Sequence, residues 1–185
     1  MNFKRSLSGL VIAALPCFVS AAPTVTFQGE VSSQTCSVNI NGQANSVVLL
    51  PAVSFADFGA ALANGASAGQ TSFTVSLTQC TAPEGTAQAI NTRFTGYDVD
   101  STTGVLKNRD TSVNAATGFG IQLTASASGS NPIMLSGATD VPGLVLSPGA
   151  TSTSYDFGAR YYVIDKSKAK AGKITAVAEY TLSYL

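Results

Sequence analysis

The chain contains no histidine and no tryptophan, and only 11% of its 185 residues are charged. Without histidine, the Ser-His and Cys-His pairs that activate nucleophiles in many hydrolases cannot form. The acidic residues Asp98 and Asp100 stand one residue apart in a turn-like segment, where solvation or capping of backbone amides is their expected role. We therefore expect no enzymatic activity and no cofactor.

A metal site is not expected either. The segment DVDSTTG resembles the start of an EF-hand calcium loop. Such a loop requires glycine at its sixth position and glutamate at its twelfth, where this sequence has Thr103 and Arg109.

The N-terminal apolar run is too short for a comfortable membrane span. Lys4 and Arg5 precede LVIAALPCFV, and Val19-Ser20-Ala21 fits a small-residue cleavage site, so residues 1–21 are predicted to be a signal peptide. A membrane anchor is the alternative. Cleavage leaves eight basic and ten acidic residues, a net charge of about −2. Nucleic acid, which binds to basic faces, is therefore not an expected partner.

Cysteine is also scarce, with three in the chain, and Cys17 lies in the predicted leader. Cys36 and Cys80 remain, 44 positions apart. Two cysteines in an exported chain predict one disulfide, which would stabilise the fold by about 4 kcal/mol. Two buried free thiols are the alternative.

The rest of the sequence consists of short alternating segments separated by Gly- and Pro-rich turns, without helical periodicity. This pattern predicts an all-β sandwich. DVPGLVLSPGATSTS is punctuated by proline and glycine and is not among the predicted strands, while FADFGAALANGASAGQ is predicted to be a loop with one helical turn. The basic run KSKAKAGK is interpreted as a solvated loop between strands, with contact to an anionic surface as the alternative. The predicted strands are CSVNI, TSFTVSLTQC, AINTRFTGYDV, GFGIQLTAS and YDFGARYYVID.

Both ends of the mature chain alternate like half-buried strands, although neither has an adjacent hairpin partner. The two could pair within the chain, or the N-terminal strand of one molecule could add to the sheet edge of another. The N-terminal segment TVTFQGEV places Val25, Phe27, Gly29 and Val31 on one face. The C-terminal segment places Ile174, Ala176, Ala178, Tyr180, Leu182 and Tyr184 on one face.

These features resemble the pilin subunits of chaperone–usher fimbriae of Gram-negative bacteria. TVTFQGEV resembles the N-terminal donor segment of that family, with Gly29 at its glycine position. RFTGYDVDSTTGVLKN resembles its F-x-G…D…TG-x-L motif, and Cys36 and Cys80 stand where its single disulfide lies. AGKITAVAEYTLSYL resembles its C-terminal signature, with Gly172 fourteenth from the end and Tyr184 penultimate.

The resemblance implies an incomplete immunoglobulin-like sandwich that lacks its last strand. Residues 1–21 would be the signal peptide, 22–34 a donor-strand extension and 35–185 the pilin domain. Val25, Phe27, Gly29 and Val31 would complete the groove of a neighbouring subunit. The groove edge, which a chaperone would also recognise, would comprise Gly172, Ile174, Ala176, Ala178, Tyr180, Leu182, Tyr184 and Leu185.

The expected function is that of a structural subunit, more specifically a major shaft pilin, of an adhesive fimbria on the cell surface. Its expected partners are identical or related pilins, a periplasmic chaperone, an outer-membrane usher and, through the assembled fimbria, a host-surface receptor. The alternative is a secreted, monomeric β-sandwich module that binds carbohydrate. The N-terminal strand discriminates between them, because its removal should prevent polymerisation in a pilin but only reduce stability in a monomeric module.

Overall fold

The computed structural model describes residues 36–44 and 46–185. The predicted signal peptide and the donor positions Val25, Phe27, Gly29 and Val31 lie outside the described residues. Within them, no helix is long and apolar enough to cross a membrane. The strands are Ser37–Ile40 (β1), Ser67–Thr78 (β2), Gln88–Gly96 (β3), Leu106–Lys107 (β4), Phe119–Thr124 (β5), Thr139–Leu146 (β6), Thr153–Val163 (β7) and Ala178–Tyr184 (β8).

The strands form two sheets, and every strand pair is antiparallel. One sheet has the order β1-β2-β7-β5-β4 and the other the order β6-β3-β8. Strand β2 shows why alternation specifies this arrangement, because Phe73, Val75 and Leu77 are buried while the residues between them are not. The predicted all-β sandwich is confirmed.

Three phenylalanines join the two sheets at the centre of the core. Phe73 on β2 stacks on Phe157 of β7, with ring centroids 5.8 Å apart. Phe94 on β3 of the opposite sheet meets Phe157 edge-on at 5.3 Å. Aromatic rings bury large apolar areas and favour such edge-to-face contacts, so this cluster stabilises the sandwich.

The predicted disulfide is confirmed, because Cys36 is bonded to Cys80. Cys36 directly precedes β1, and Cys80 lies two residues after the end of β2. The disulfide therefore joins the neighbouring ends of two paired strands. The predicted helical turn is also present, as a 3-10 helix at Phe55–Phe58. The loop is shorter than predicted, because β2 already begins at Ser67.

The prediction was wrong for DVPGLVL, which forms most of β6. Proline lacks a backbone donor and is tolerated on edge strands and at bulges. Strand β6 is an edge strand, and its pairing with β3 shifts register between Ile90 and Thr92, where Pro142 and Gly143 have no partner position. The proline and glycine therefore occupy a bulge within a strand.

Candidate functional site: an open groove beside the C-terminal segment

An open groove runs between two extended segments that belong to no strand. We call residues 46–53 the N-terminal wall and residues 171–177 the C-terminal wall. The groove contains two adjoining cavities of about 530 and 460 Å³, and Leu50, Tyr161 and Ile174 line both. The larger cavity reaches core residues, including Phe73, Phe94 and Leu106. The space between the walls thus opens directly onto the hydrophobic core.

The C-terminal wall is attached to the domain through its odd-numbered residues. The amide of Lys173 donates to Asn114 O, and its carbonyl accepts from the amide of Ala116, both at 2.8 Å. The carbonyls of Thr175 and Val177 accept from the amides of Arg109 and Tyr97 at 2.8 and 3.1 Å. These bonds hold one side of the wall against the fold.

The even-numbered residues of the same wall, Gly172, Ile174 and Ala176, have no backbone hydrogen bond within the described part of the chain. In an extended chain the N–H and C=O of one residue point to the same side, and the N–H and C=O of the next residue point to the opposite side. The even residues therefore present donors and acceptors towards the groove. This is the hydrogen-bonding edge that an added strand requires.

Asn108, to which sequence reasoning assigned no role, positions this wall. Its Nδ2 donates to Ala116 O at 2.8 Å and to Lys173 O at 2.9 Å. Its Oδ1 accepts from the amides of Thr175 and Asp110, both at 2.9 Å. Asn108 is the last residue of the RFTGYDVDSTTGVLKN motif, and this position was the sequence feature that could have indicated its role.

The predicted alternation of the C-terminal segment is confirmed. The even-numbered apolar residues pack against the main core, and the odd-numbered residues from Lys173 to Thr181 are exposed. The strand itself begins later than predicted, at Ala178 rather than Ile174. Residues 174–177 are extended but have no partner on the groove side within the described residues, so they form no ladder. The packed residues are Ile174, Ala176, Ala178, Tyr180, Leu182 and Tyr184.

The structure divides the predicted groove-edge residues into two groups. Gly172, Ile174, Ala176 and Ala178 line the cavities. Three of the remaining four lie farther along β8 and the fourth follows its last residue; β8 pairs with β3 and forms an edge of its sheet in the described part of the chain. These are Tyr180, whose hydroxyl donates to Ala44 O at 3.1 Å, Leu182, Tyr184 and the exposed Leu185.

Gly172 lies directly against the backbone of a neighbouring loop. A β-carbon at this position would contact Asn114 O and would lie 2.7 Å from both Ala115 C and Ala116 N. Real β-carbons do not approach backbone atoms this closely, so a side chain would push the wall away from the loop. Glycine is needed here to keep the wall attached to the domain.

The N-terminal wall was not predicted as part of the site. Val48 and Leu50 pack on the core, whereas Val47 and Leu49 are 75% and 81% exposed. Within the described residues, no residue from 46 to 53 makes a backbone hydrogen bond. The sequence feature that could have indicated this wall was the apolar run SVVLLPAV, which has no adjacent partner strand in the sequence.

The DVDSTTG segment forms a turn stabilised by its own carboxylate. Asp100 accepts hydrogen bonds from the Thr103 hydroxyl and amide and from the Thr102 amide. These bonds, that of the Thr103 hydroxyl above all, lower the pKa of Asp100. Asp98 forms an ion pair with Lys107 at 2.8 Å. The predicted capping role is confirmed for Asp100.

One Ser-x-x-Lys sequence occurs, from Ser167 to Lys170. The Ser167 hydroxyl donates to Asp165 at 2.6 Å, and Lys170 Nζ donates to Val113 O at 3.1 Å. Both side chains are thus bonded to other groups, and this geometry does not make the lysine a base for the serine.

Two packed antiparallel sheets with an open groove at one edge define an incomplete immunoglobulin-like sandwich. The model of the fimbrial protein family matches residues 25–185. The chain therefore belongs to the fimbrial protein family and is a structural pilus subunit.

The chain is 34% identical to the major fimbrial subunit SMF-1 of Stenotrophomonas maltophilia over 180 residues, which cover 94% of this chain and 99% of that one. Its fold is similar to the P pilus rod subunit PapA, with a TM-score of 0.57, 17% identity and coverage of 81% and 99%. It is also similar to the subunit in a structure of a chaperone–usher pilus that addresses rod uncoiling, with a TM-score of 0.56, 17% identity and coverage of 92% and 100%. The similarity to a major fimbrial subunit favours a shaft pilin over a monomeric carbohydrate-binding module.

Proposed function

We propose that the groove accepts residues 22–34 of the next subunit as an added strand, and that repetition of this step builds the fimbria. The observation that carries the proposal is the backbone edge of Gly172, Ile174 and Ala176, which is unpaired within the described residues and lies beside cavities that open onto the core. Main-chain hydrogen bonds along such an edge provide affinity, and pockets for alternate side chains provide specificity.

The spacing of the donor segment supports this pairing. Val25 to Val31 spans seven residues with apolar or small residues at alternate positions. Gly172 to Ala178 also spans seven residues, and its even-numbered members line the groove. Each fully buried valine or phenylalanine of the donor would contribute about 1.5–3 kcal/mol.

The direction of insertion follows from the two ends of the sandwich. The cysteine end comprises Cys36, residues 78–88 and 146–153, and Leu185, joined by the disulfide and by loop contacts. The lysine end comprises residues 110–118 and 164–173. Strand β7 runs from Thr153 at the cysteine end to Val163 at the lysine end.

The donor segment precedes Cys36 and therefore leaves its own subunit at the cysteine end. An open fibre requires two different contact surfaces, since reuse of one surface by both molecules gives closed pairs. The donor should consequently come from a subunit whose body lies beyond the lysine end. It would then run antiparallel to the C-terminal wall.

A periplasmic chaperone would cover the same groove before assembly, and an outer-membrane usher would direct the exchange at the cell surface. An open apolar groove with an unpaired edge is an aggregation hazard, which is the physical reason for such protection. The residues available for chaperone recognition are the alternate residues of the C-terminal wall and β8 together with the residue that follows them: Gly172, Ile174, Ala176, Ala178, Tyr180, Leu182, Tyr184 and Leu185.

Gly29→Val tests the donor assignment. Valine should enter a shallow part of the groove and weaken joining by about 1–3 kcal/mol, whereas the chaperone inserts its own strand and should still bind. The expected phenotype is a stable chaperone complex with few or no fibres on cells that also express the usher. Gln28→Val is the matched control, because its side chain should face outward. Fibres of ordinary length and thermal stability in Gly29→Val would contradict the assignment.

Tyr184→Ala tests the proposed chaperone contact. Loss of the ring from β8 should reduce the periplasmic yield of the subunit, because an uncovered groove favours proteolysis and aggregation. Glu179→Ala, at an exposed position of the same strand, is the control. Normal yield with normal chaperone co-purification in Tyr184→Ala would argue against this role.

A further inference from the structure

The basic run of the C-terminal region lies at the lysine end, and only its last three residues, 171–173, belong to the C-terminal wall. Lys166, Lys168, Lys170 and Lys173 are all exposed. Lys168 forms an ion pair with Asp165 at 3.2 Å, and Lys170 donates to Val113 O. The Lys166 ammonium has no acidic partner within the described residues.

The acids at the same end do not neutralise this charge fully. Asp110 accepts from the Ser112 amide, and Asp165 accepts from the Ser167 hydroxyl and amide as well as pairing with Lys168. Lys173 interacts electrostatically with Asp110, so Lys166 and Lys170 are left to contribute positive charge to the surface around the mouth of the groove.

The cysteine end has the opposite character. Its described residues include the exposed Glu84 and contain neither lysine nor arginine. Glu84 forms no ion pair with any described residue. The two ends of one domain therefore carry complementary charge.

We propose that the lysine end of one subunit contacts the cysteine end of the next copy of this chain, with the Lys166–Lys173 loop facing Glu84. The contact rests on the proposed donor-strand function, which places these two ends together. Val31 and Cys36 are separated by five Cα steps, at most about 18 Å. A donor seated up to Val31 therefore holds the cysteine end of its own domain close to the lysine end of the acceptor.

Because the two ends are held at such distances from each other, their charges act mainly on the rate at which subunits join and on the orientation in which they meet. Screening extends over about 8 Å at physiological ionic strength, so charges at the rim accelerate correctly oriented encounters. Two lysine ends, or two cysteine ends, repel each other. The charge pattern thus favours head-to-tail fibres over reciprocal pairs.

The test measures the rate at which purified subunits join at low and high salt. Lys166→Glu with Lys168→Glu, and separately Glu84→Lys, should each slow joining about tenfold at low salt. A chain that carries all three substitutions should join again within about twofold of the unaltered chain, and high salt should abolish these differences. Glu179→Lys makes the same charge change as Glu84→Lys but on β8, and it should not alter the rate.

A synthetic peptide of residues 22–34 tests binding to the groove in the absence of the cysteine end. The peptide carries Glu30→Gln, so that its own acidic side chain is not attracted to the lysine end. Equal binding of the peptide to the unaltered and Lys→Glu subunits, together with slowed joining of whole subunits, supports the contact. Normal peptide binding with unchanged joining rates, or no recovery in the triple variant, overturns the contact alone. A peptide that binds neither subunit overturns the proposed function and the contact with it.

Discussion

The two walls of the groove are both extended and apolar, but they are held in different ways. The C-terminal wall is bonded through Lys173, Thr175 and Val177 to the backbone of four residues in neighbouring segments and to the Asn108 side chain. The N-terminal wall makes no backbone hydrogen bond within the described residues and contacts the core through Val48 and Leu50. An incoming strand therefore meets one edge that backbone hydrogen bonds already fix and one segment that, within the described residues, is held by side-chain packing alone.

This difference assigns separate energetic roles to the walls. A preformed edge costs little conformational entropy when a strand is added, whereas ordering of a free backbone costs about 1–2 kcal/mol per residue. Substitutions in the C-terminal wall should therefore affect the isolated subunit. Those in the N-terminal wall should have their main effect after a strand has been added.

Gly172→Val should have the largest effect. The new side chain would contact the backbone of Asn114 and Ala115, which cannot move aside cheaply, and should lower the free energy of unfolding by about 3 kcal/mol. Gly137→Val is the control, because a β-carbon there has open space. Denaturant unfolding of the isolated domain measures both. Equal stability of the two variants would show that the wall is not fixed by this contact.

Asn108→Ala should follow, with a loss of about 2 kcal/mol. The substitution leaves the amide of Thr175 and the carbonyl of Lys173 without their side-chain partner. Hydrogen exchange of the C-terminal wall should increase in parallel with the loss of stability. Asn114→Ala is the control, because within the described residues Asn114 makes hydrogen bonds only through its backbone. Unchanged exchange in Asn108→Ala would refute its positioning role.

Leu50→Ala distinguishes the walls directly. In the isolated subunit the cost should be about 1 kcal/mol, because the side chain is half-buried on an unbonded segment. With the peptide of residues 22–34 bound, it should increase to about 2–3 kcal/mol as the segment becomes ordered. Thermal unfolding with and without peptide measures the difference, and the 81%-exposed Leu49 gives the control Leu49→Ala. An identical cost in both states would remove the distinction between the walls.

The smallest expected effect is on the pH dependence of stability, through the turn that precedes β4. Hydrogen bonds from Thr103 lower the pKa of Asp100 below its ordinary 3.8. A lowered pKa stabilises the fold above the unfolded-state value, and this contribution disappears as pH falls through the folded-state pKa. Thr103→Val should therefore reduce stability by less than about 1 kcal/mol at neutral pH, and less still as the pH falls well below 3.8. A difference in melting temperature that does not depend on pH would contradict this origin.

The predictability of the site differed between its two walls. Period-2 alternation identified the core-facing residues from Ile174 to Tyr184, because burial on one face is encoded by side chains alone. Asn108 was missed because its partners, Lys173 and Thr175, lie more than sixty residues away. The N-terminal wall was missed because a continuous apolar run predicts burial but not the neighbour against which it lies.

By itself, the sequence determined the β-sandwich class, the single disulfide and the faces of the strands. Side-chain hydrophobicity and the count of cysteines left after the predicted leader carry that information. Only the tertiary structure decided that Ile174 and Ala176 lie on an edge with no partner among the described residues and that residues 46–53 form the opposite wall. The physical reason is that strand pairing uses backbone groups, which are nearly the same at every residue, so which edge remains open depends on how the whole chain packs.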